Sequence, residues 1–159
     1  DLVQHREFSG KKLDYFDEAQ KERYTPFIIE TSVGCDRTLL TLLVDAYEEE
    51  GERVVLKLSP KLAPYKVAIF PLVNKDGMPE VAEKIYRQAQ KKFKAFYDTS
   101  GAVGRRYRRQ DEAGTPFCLT IDSETLQNES VTLRDRDSMQ QERLSVDAAL
   151  EKIQQASQL

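Results

Sequence analysis

The chain has 159 residues and a formal net charge of −3, and 32% of its residues are charged against 40% hydrophobic. This length suits one domain of ordinary size, or one domain with part of a neighbour, and the apolar content excludes intrinsic disorder. No apolar run approaches the roughly 20 residues that span a bilayer, so we expect a globular, cytoplasmic protein without membrane contact. Because the chain opens on aspartate and its first residues are typical of mid-protein sequence, we expect a fragment.

Local patterns in the first third predict a strand, a glycine turn and a helix. Residues 26–29 are typical of a short buried strand, and apolar residues between 39 and 47 recur with helical spacing after the turn at Gly34. Residues 54–58 are predicted to be extended, and two prolines follow them. We place a domain boundary between residues 51 and 64.

Strands and helices alternate beyond that boundary. The pattern predicts three strands separated by two helices, in the order 66–70, 78–93, 94–97, 103–112 and 117–121. An additional strand is predicted at residues 130–134, and a last helix is predicted after a cap at Ser145. This order predicts an α/β fold with a mixed, mainly parallel sheet flanked by helices.

Basic residues concentrate between residues 84 and 109, although the chain is acidic overall. The stretch contains a single acid, Asp98, and nine basic residues: Lys84, Arg87, Lys91, Lys92, Lys94, Arg105, Arg106, Arg108 and Arg109. One concentrated basic stretch can bind a polyanion locally, as nucleic-acid-binding proteins do. The alternative is a solvated helix face.

The two cysteines, Cys35 and Cys118, lie far apart without the spacing of a metal site or a disulfide framework. We predict that both are buried free thiols.

Residues 26–43, PFIIETSVGCDRTLLTLL, have the residue types of a small-molecule site. Gly34 lets a ligand approach the backbone, and Glu30 can hold an ammonium group. The planar guanidinium of Arg37 can stack on a base or form two hydrogen bonds with a phosphate. A purely structural strand, turn and helix with exposed charges is the alternative from these residues alone.

The segment IETSVGCDR resembles motif 3 of class II aminoacyl-tRNA synthetases in the form found in glycyl-tRNA synthetases. The resemblance implies a glycine pocket, in which Glu30 and Ser32 lie nearest the substrate, lined by Glu30, Thr31, Ser32, Val33 and Gly34. It implies an ATP site bordered by Gly34, Cys35, Asp36 and Arg37. Arg37 is the implied catalytic residue and stacks on adenine, while Cys35 stands where this family often has valine.

The similarity continues through LAPYKVAIFPL, GAVGRRYRRQDEAGTPFCLTID and VTLRDRDSMQQ. These segments resemble the anticodon-binding domain shared by the glycyl, threonyl, prolyl and histidyl enzymes, and GRRYRRQDEAGTPF followed by TLRDRD is specific to the glycyl branch. The resemblance implies two domains. Residues 1–58 would be the end of the antiparallel-sheet catalytic domain, and residues 59–159 would be the anticodon-binding domain.

We expect the tRNA contacts to lie among Arg105, Arg106, Arg108 and Arg109. These four cannot all share one helix face, so some are expected to pair with Asp98, Asp111 or Glu112 instead. Tyr107 fits either core packing or base stacking. Arg134 and Arg136 alternate with aspartates, which fits paired charges at a strand end as well as a basic surface.

The resemblance implies a glycine–tRNA ligase that uses ATP and forms glycyl-adenylate, with tRNA(Gly) as partner, Mg²⁺ in the full-length enzyme and a homodimer as its assembly. The chain contains no motif 2, so we expect it to be inactive alone. One alternative is a synthetase-like accessory protein that binds RNA without catalysis. Another is membership of the threonyl or prolyl branch, against which the glycyl form of residues 26–37 argues.

Overall fold

Residues 1–38 form the first of two compact units in the computed structural model, which describes residues 1–158. The unit contains one complete helix and one antiparallel hairpin, α1 (Leu2–Ser9), β1 (Tyr15–Asp17) and β2 (Glu22–Tyr24), and it ends within the first turn of a second helix. The Arg6 guanidinium donates to the Asp14 carboxylate at 3.1 Å and to the Thr25 hydroxyl at 3.2 Å. None of residues 1–38 is buried, so polar contacts rather than an apolar core hold this unit together.

The predicted strand over residues 26–29 is wrong, because residues 25–34 have no regular secondary structure. Phe27 and Ile29 are fully exposed, at 102% and 99% of their reference surface. A strand needs hydrogen bonds from a neighbouring strand, and β1 and β2 pair only with each other. This apolar run therefore has no partner strand within the described part of the chain.

Helix α2 (Cys35–Ala46) leads directly into a hairpin of the second unit. The hairpin pairs β3 (Tyr47–Glu50) with β4 (Arg53–Leu56), and Gly51 in its turn has a φ of 65°. Helix α2 and strand β4 confirm the helix and the extended segment predicted in this region.

A five-stranded mixed sheet forms the centre of the second unit, in the spatial order β6-β5-β7-β8-β9. Its strands are β5 (Val67–Pro71), β6 (Ala95–Tyr97), β7 (Phe117–Ile121), β8 (Ser130–Asp135) and β9 (Gln141–Ser145). The first three of these strands are parallel, and the last two extend the sheet with antiparallel pairs. The predicted mixed, mainly parallel sheet is confirmed, and β9 is an addition to it.

Helices cover both faces of this sheet: α3 (Met78–Gln90), α4 (Val103–Ala113), the short α5 (Thr125–Asn128) and α6 (Val146–Ser157). Val67 and Ile69 of β5 pack in one apolar cluster with α3 and α6. Ala68 and Phe70 pack in a second cluster with α4. Because successive residues of a strand point to opposite faces, α3 and α6 lie on one face and α4 lies on the other.

A buried ion-pair network joins the β3–β4 hairpin to α4 and β8. Arg53, which is 5% exposed, donates to the Asp111 carboxylate at 2.9 Å and also to the carbonyl oxygen of Arg136. Arg134 donates to the same carboxylate at 2.8 and 3.1 Å. Residues 47–58 therefore pack in the same unit as the sheet. The boundary between residues 58 and 59 that the resemblance implies stays a prediction.

Gly114 ends α4 with a φ of 78°, in the left-handed region that favours glycine. A Cβ atom at this position would lie 3.0 Å from Leu58 Cδ1 and 3.1 Å from the Leu56 carbonyl oxygen. The end of α4 and the chain after β4 are thus packed in direct contact.

Candidate functional site

The predicted substrate residues are consecutive and meet at the beginning of α2. The irregular segment before the helix contains the predicted glycine-binding residues Glu30, Thr31, Ser32, Val33 and Gly34. The predicted ATP-binding residues continue from Gly34 into the first helical turn: Cys35, Asp36 and Arg37. The Gly34 carbonyl oxygen accepts hydrogen bonds from the amide and the hydroxyl of Thr38, both at 3.0 Å.

All eight of these residues are exposed. A Cβ atom on Gly34 would lie 4.0 Å from the Arg37 Cβ, so the structure places the glycine backbone beside this arginine. Small-molecule sites are usually concave and surround most of their ligand. Residues 30–37 form an open strip instead, and their roles in glycine and ATP binding stay predictions.

The four arginines of α4 divide between two sides of the helix. Arg105, Arg108 and Arg109 are exposed at positions i, i+3 and i+4, which is the spacing of one helix face. Arg106 is buried on the other side, at 2% exposure. The exposed arginine face of α4 therefore consists of Arg105, Arg108 and Arg109.

Arg106 does not lie where a tRNA could reach it, so its predicted place among the tRNA contacts does not fit the structure. Its guanidinium donates to the carbonyl oxygens of Pro71, Leu72 and Asp98, at 2.6, 3.3 and 3.2 Å. It also lies over the Phe70 ring, 5.6 Å from the centroid. Burial lowers the pKa of this guanidinium. Arg106 holds the ends of β5 and β6 to α4.

Two members of the exposed arginine face also contact the protein. Arg109 donates to the Asp98 carboxylate at 2.6 Å and to the Ser100 carbonyl oxygen at 2.7 Å, as the predicted pairing with Asp98 requires. Burial opposes ionisation of Asp98, but hydrogen bonds from the Ser100 amide and Arg109 outweigh it and lower its pKa. Arg108 donates to the Glu52 carbonyl oxygen at 3.2 Å.

Tyr107 packs in the core, which was one of its two predicted roles. Its ring makes an edge contact with Phe70 at 5.7 Å between centroids, and its hydroxyl forms a hydrogen bond with Thr120. The Arg134 guanidinium lies 4.9 Å from the centroid of the same ring. Burial raises the pKa of the phenol. This ring is therefore occupied by protein contacts on more than one side.

Arg134 and Arg136 are structural, which was one of their two predicted roles. Arg136 is 2% exposed and donates to the carbonyl oxygens of Gly114 and Leu58, both at 2.9 Å. The sequence did not indicate that Arg53 joins them. Its partner Asp111 lies 58 positions away, and no local pattern around Arg53 predicts burial.

The basic stretch at residues 84–109 is not one surface. Lys84, Arg87 and Lys91 belong to α3 or its end, whereas the exposed arginine face belongs to α4. Because α3 and α4 cover opposite faces of the sheet, the sheet separates the two groups of charge. The stretch is therefore concentrated in sequence but not in space, and polyanion binding by its residues stays a prediction.

The two cysteines differ in burial, so the prediction of two buried thiols is wrong for Cys35. Cys35 begins α2 in the unit that has no buried residue, and it is exposed. Cys118 lies within β7, and burial raises its pKa to about 12.

Among residues 1–158, no group of three or more His, Cys, Asp or Glu side chains could hold a metal ion. Within the same range, no helix has the length and apolar character needed to cross a membrane.

The chain matches one protein family and is similar in sequence to several curated proteins. The anticodon binding domain family matches residues 66–156. The glycine–tRNA ligase of Chlorobaculum tepidum is 50% identical over 155 residues, covering 95% of this chain and 33% of that protein. That of Caldanaerobacter subterraneus subsp. tengcongensis is 55% identical over 151 residues, covering 92% and 32%. The chain thus spans about a third of the length of the curated relatives it matches.

One solved structure has a similar fold. The RNA binding domain of threonyl-tRNA synthetase from Cryptosporidium parvum Iowa II matches with a TM-score of 0.58 and 23% sequence identity. The match covers 64% of this chain and 26% of that one. At this identity, the likeness concerns the fold alone.

Proposed function

This chain belongs to the anticodon-binding domain family, and from that premise we propose that its second unit binds the anticodon region of a tRNA. The family match over residues 66–156 carries this proposal. The exposed arginine face of α4 supplies positive charge for RNA phosphates or bases. Arg106 is not part of the proposed surface because its guanidinium is buried.

We also propose that the chain acts within a glycine–tRNA ligase of about the length of its relatives. In the first step the glycine carboxylate attacks the α-phosphate of ATP, which gives glycyl-adenylate and releases pyrophosphate. In the second step a terminal ribose hydroxyl of tRNA(Gly) takes the glycyl group, and AMP leaves. Identities of 50% and 55% to glycine–tRNA ligases over more than nine-tenths of the chain support this reaction.

The proposed substrate residues follow the motif 3 resemblance. Arg37 would stack on the adenine of ATP, because its planar guanidinium matches a base face. Glu30 would hold the glycine ammonium group, and Ser32 would lie beside it. Both steps depend on positioning and charge stabilisation, and no covalent enzyme intermediate is needed.

Three further features of the ligase are proposed from the resemblance. Mg²⁺ would neutralise charge on the ATP phosphates, held by one or two carboxylates together with those phosphates. Two copies would form a homodimer. The enzyme would act in the cytoplasm.

The catalytic proposal can be tested in a chimera that joins this chain to the remaining part of the Chlorobaculum tepidum relative. Glycine-dependent ATP–pyrophosphate exchange should appear in the chimera and be absent from the 159-residue chain alone. A folded chimera that binds tRNA but never activates glycine would favour the alternative of a non-catalytic accessory protein.

Two substitutions in that chimera separate the proposed substrate contacts. Arg37→Ala should raise the KM for ATP or abolish the exchange reaction, because a contact with adenine is lost. Glu30→Gln should raise the KM for glycine and leave the KM for ATP unchanged. Normal exchange kinetics in either variant would remove that residue from the site.

The tRNA proposal can be tested on the chain itself. Arg105→Gln combined with Arg108→Gln should weaken binding of tRNA(Gly) and reduce the salt slope by roughly 0.7–0.9 per lost phosphate contact. The matched control is Arg87→Gln combined with Lys152→Gln. It also removes two positive charges, but Arg87 is paired with Glu83 and Lys152 with Glu142. Equal binding by both double variants at every salt concentration would exclude the exposed arginine face. Titration with an anticodon-swapped tRNA distinguishes base reading from phosphate contact.

A further inference from the structure

A groove of about 420 Å³ lies at the edge of the sheet where the parallel strands begin. Lys66 and Lys94 immediately precede β5 and β6, whose register pairs Val67 with Ala95, so both lysines lie at this edge. Lys92, just past the end of α3, also lines the groove. This places three of the chain's lysines around one concave surface, away from the exposed arginine face of α4.

No aspartate or glutamate is among the described residues that line the groove. The ammonium groups of Lys92 and Lys94 form no ion pair within residues 1–158, and both residues are exposed. Within residues 1–158 no carboxylate pairs with these two ammonium groups, in contrast to Arg87, which pairs with Glu83 at 2.6 Å. The groove has the charge of an anion site.

Lys66 is fixed in the wall of the groove. Its ammonium group donates to the carbonyl oxygens of Pro60, Lys61 and Ala63 at 2.9, 3.0 and 3.0 Å. Burial lowers the pKa of this group. Lys66 therefore contributes structure and positive potential, and Lys92 and Lys94 remain as the groups that can contact a ligand.

The far wall of the groove belongs to the end of α6. Gln154 and Ser157 line it, and the Ser157 hydroxyl is buried without a hydrogen-bond partner among residues 1–158. This hydroxyl oxygen has no accessible surface, so it does not contact a ligand in the groove. A phosphate in the groove would be attracted by the ammonium groups of Lys92 and Lys94.

We propose that this groove binds a backbone phosphate of the tRNA, as a second contact beside the exposed arginine face. The inference rests on the proposed tRNA binding. Lysine ammonium groups are compact charges that attract phosphate without reading bases, so the contact would add affinity equally for every tRNA sequence. The two surfaces lie on different sides of the sheet, so they would contact different stretches of the RNA.

The test compares binding of tRNA(Gly) to the full chain and to the double variant Lys92→Gln/Lys94→Gln. Loss of one neutralised phosphate should lower the salt slope by roughly 0.7–0.9, so the fall in affinity between 50 and 200 mM salt should be about threefold smaller than for the unmodified chain. Lys92→Arg/Lys94→Arg should bind like the unmodified chain. The control, Lys57→Gln/Lys152→Gln, removes two lysine charges that pair with glutamates and should leave the salt slope unchanged.

The outcomes separate this inference from the proposed function. If the unmodified chain binds tRNA but Lys92→Gln/Lys94→Gln binds with the same affinity and salt slope, the groove makes no RNA contact and the inference is overturned. If the unmodified chain does not bind tRNA, both proposals fail. Titration with inorganic phosphate alone, followed by NMR of the Lys94 and Ser157 amides, identifies the ligand source. If inorganic phosphate shifts these amide signals but the Lys92→Gln/Lys94→Gln variant binds tRNA as tightly as the unmodified chain, the groove binds free phosphate and the RNA assignment is overturned.

Discussion

Residues 1–38 and residues 39–158 use the same types of side chain in opposite ways. In the first unit Phe27 and Ile29 are fully exposed, and no residue is buried. In the second unit Ile69 and Leu119 are completely buried. In the second unit, packing therefore determines which charged side chains are buried and which are exposed. In the first unit, the proposed substrate roles depend on resemblance alone.

The largest effect that this comparison predicts is at Asp111. Asp111→Ala leaves two buried guanidinium groups, Arg53 and Arg134, without their shared carboxylate. Removing one partner of a buried ion pair typically costs about 3–5 kcal/mol of unfolding free energy. The control Glu83→Ala breaks an exposed helical pair and should cost under about 0.5 kcal/mol. Urea unfolding of both variants measures the difference, and similar costs would mean that the network is not stabilising.

Two isoleucines give the most direct contrast between the units. Ile69→Ala removes a fully buried side chain from β5 and should cost about 2–5 kcal/mol. Ile29→Ala changes a side chain that is 99% exposed and should stay within about 0.5 kcal/mol. Thermal or urea unfolding distinguishes them. A large cost for Ile29→Ala would show that residues 26–29 are packed in solution.

The same contrast occurs between neighbouring residues within α4. Arg106→Met leaves the carbonyl oxygens of Pro71, Leu72 and Asp98 without this donor and should cost about 1–3 kcal/mol. Arg105→Met should cost under about 0.5 kcal/mol while weakening tRNA binding. If Arg106→Met keeps full stability and loses tRNA affinity, its interior position is not the one occupied in solution.

The smallest predicted effect concerns pH. The pKa of Asp98 is lowered in the folded chain, so its contribution is present above the unfolded value of about 3.9 and is lost as pH falls through the folded value. The stability difference between the chain and Asp98→Asn should be under about 1 kcal/mol at neutral pH, since Arg109 is 45% exposed. This difference in unfolding free energy should become smaller below about pH 4, where Asp98 becomes protonated. A difference that stays constant down to pH 3 would exclude the ionised pair as its cause.

Apolar periodicity predicted most of the second unit because its strands and helices bury each other. Strand β9 was not predicted, because the sequence of Gln141–Ser145 is mostly polar and has no alternating apolar pattern. It lies at the edge of the sheet. The strand predicted at residues 26–29 failed for the opposite reason, because the apolar run was present and a pairing strand was not. Hydrophobic pattern predicts a strand only where the chain also supplies its neighbour.

Charge was harder to predict than packing. Helical spacing alone shows that Arg105, Arg108 and Arg109 share a face, but it does not show which face is buried. Burial of Arg53 depends on Asp111, at a sequence distance that no local pattern spans. The division of residues 84–109 follows from the crossovers of the chain, which place successive helices on opposite faces of the sheet.

The contact between Gly114 and the chain after β4 affects how this domain could be transplanted between proteins. The family match begins at residue 66, but Gly114 is packed against Leu56 and Leu58. A recombinant graft that began at residue 66 would expose this end of α4 and separate Asp111 from Arg53. Glycine would still be required there for its φ of 78°. Its contact with Leu56 and Leu58 would be lost. The smallest exchangeable module is therefore expected to begin at β3.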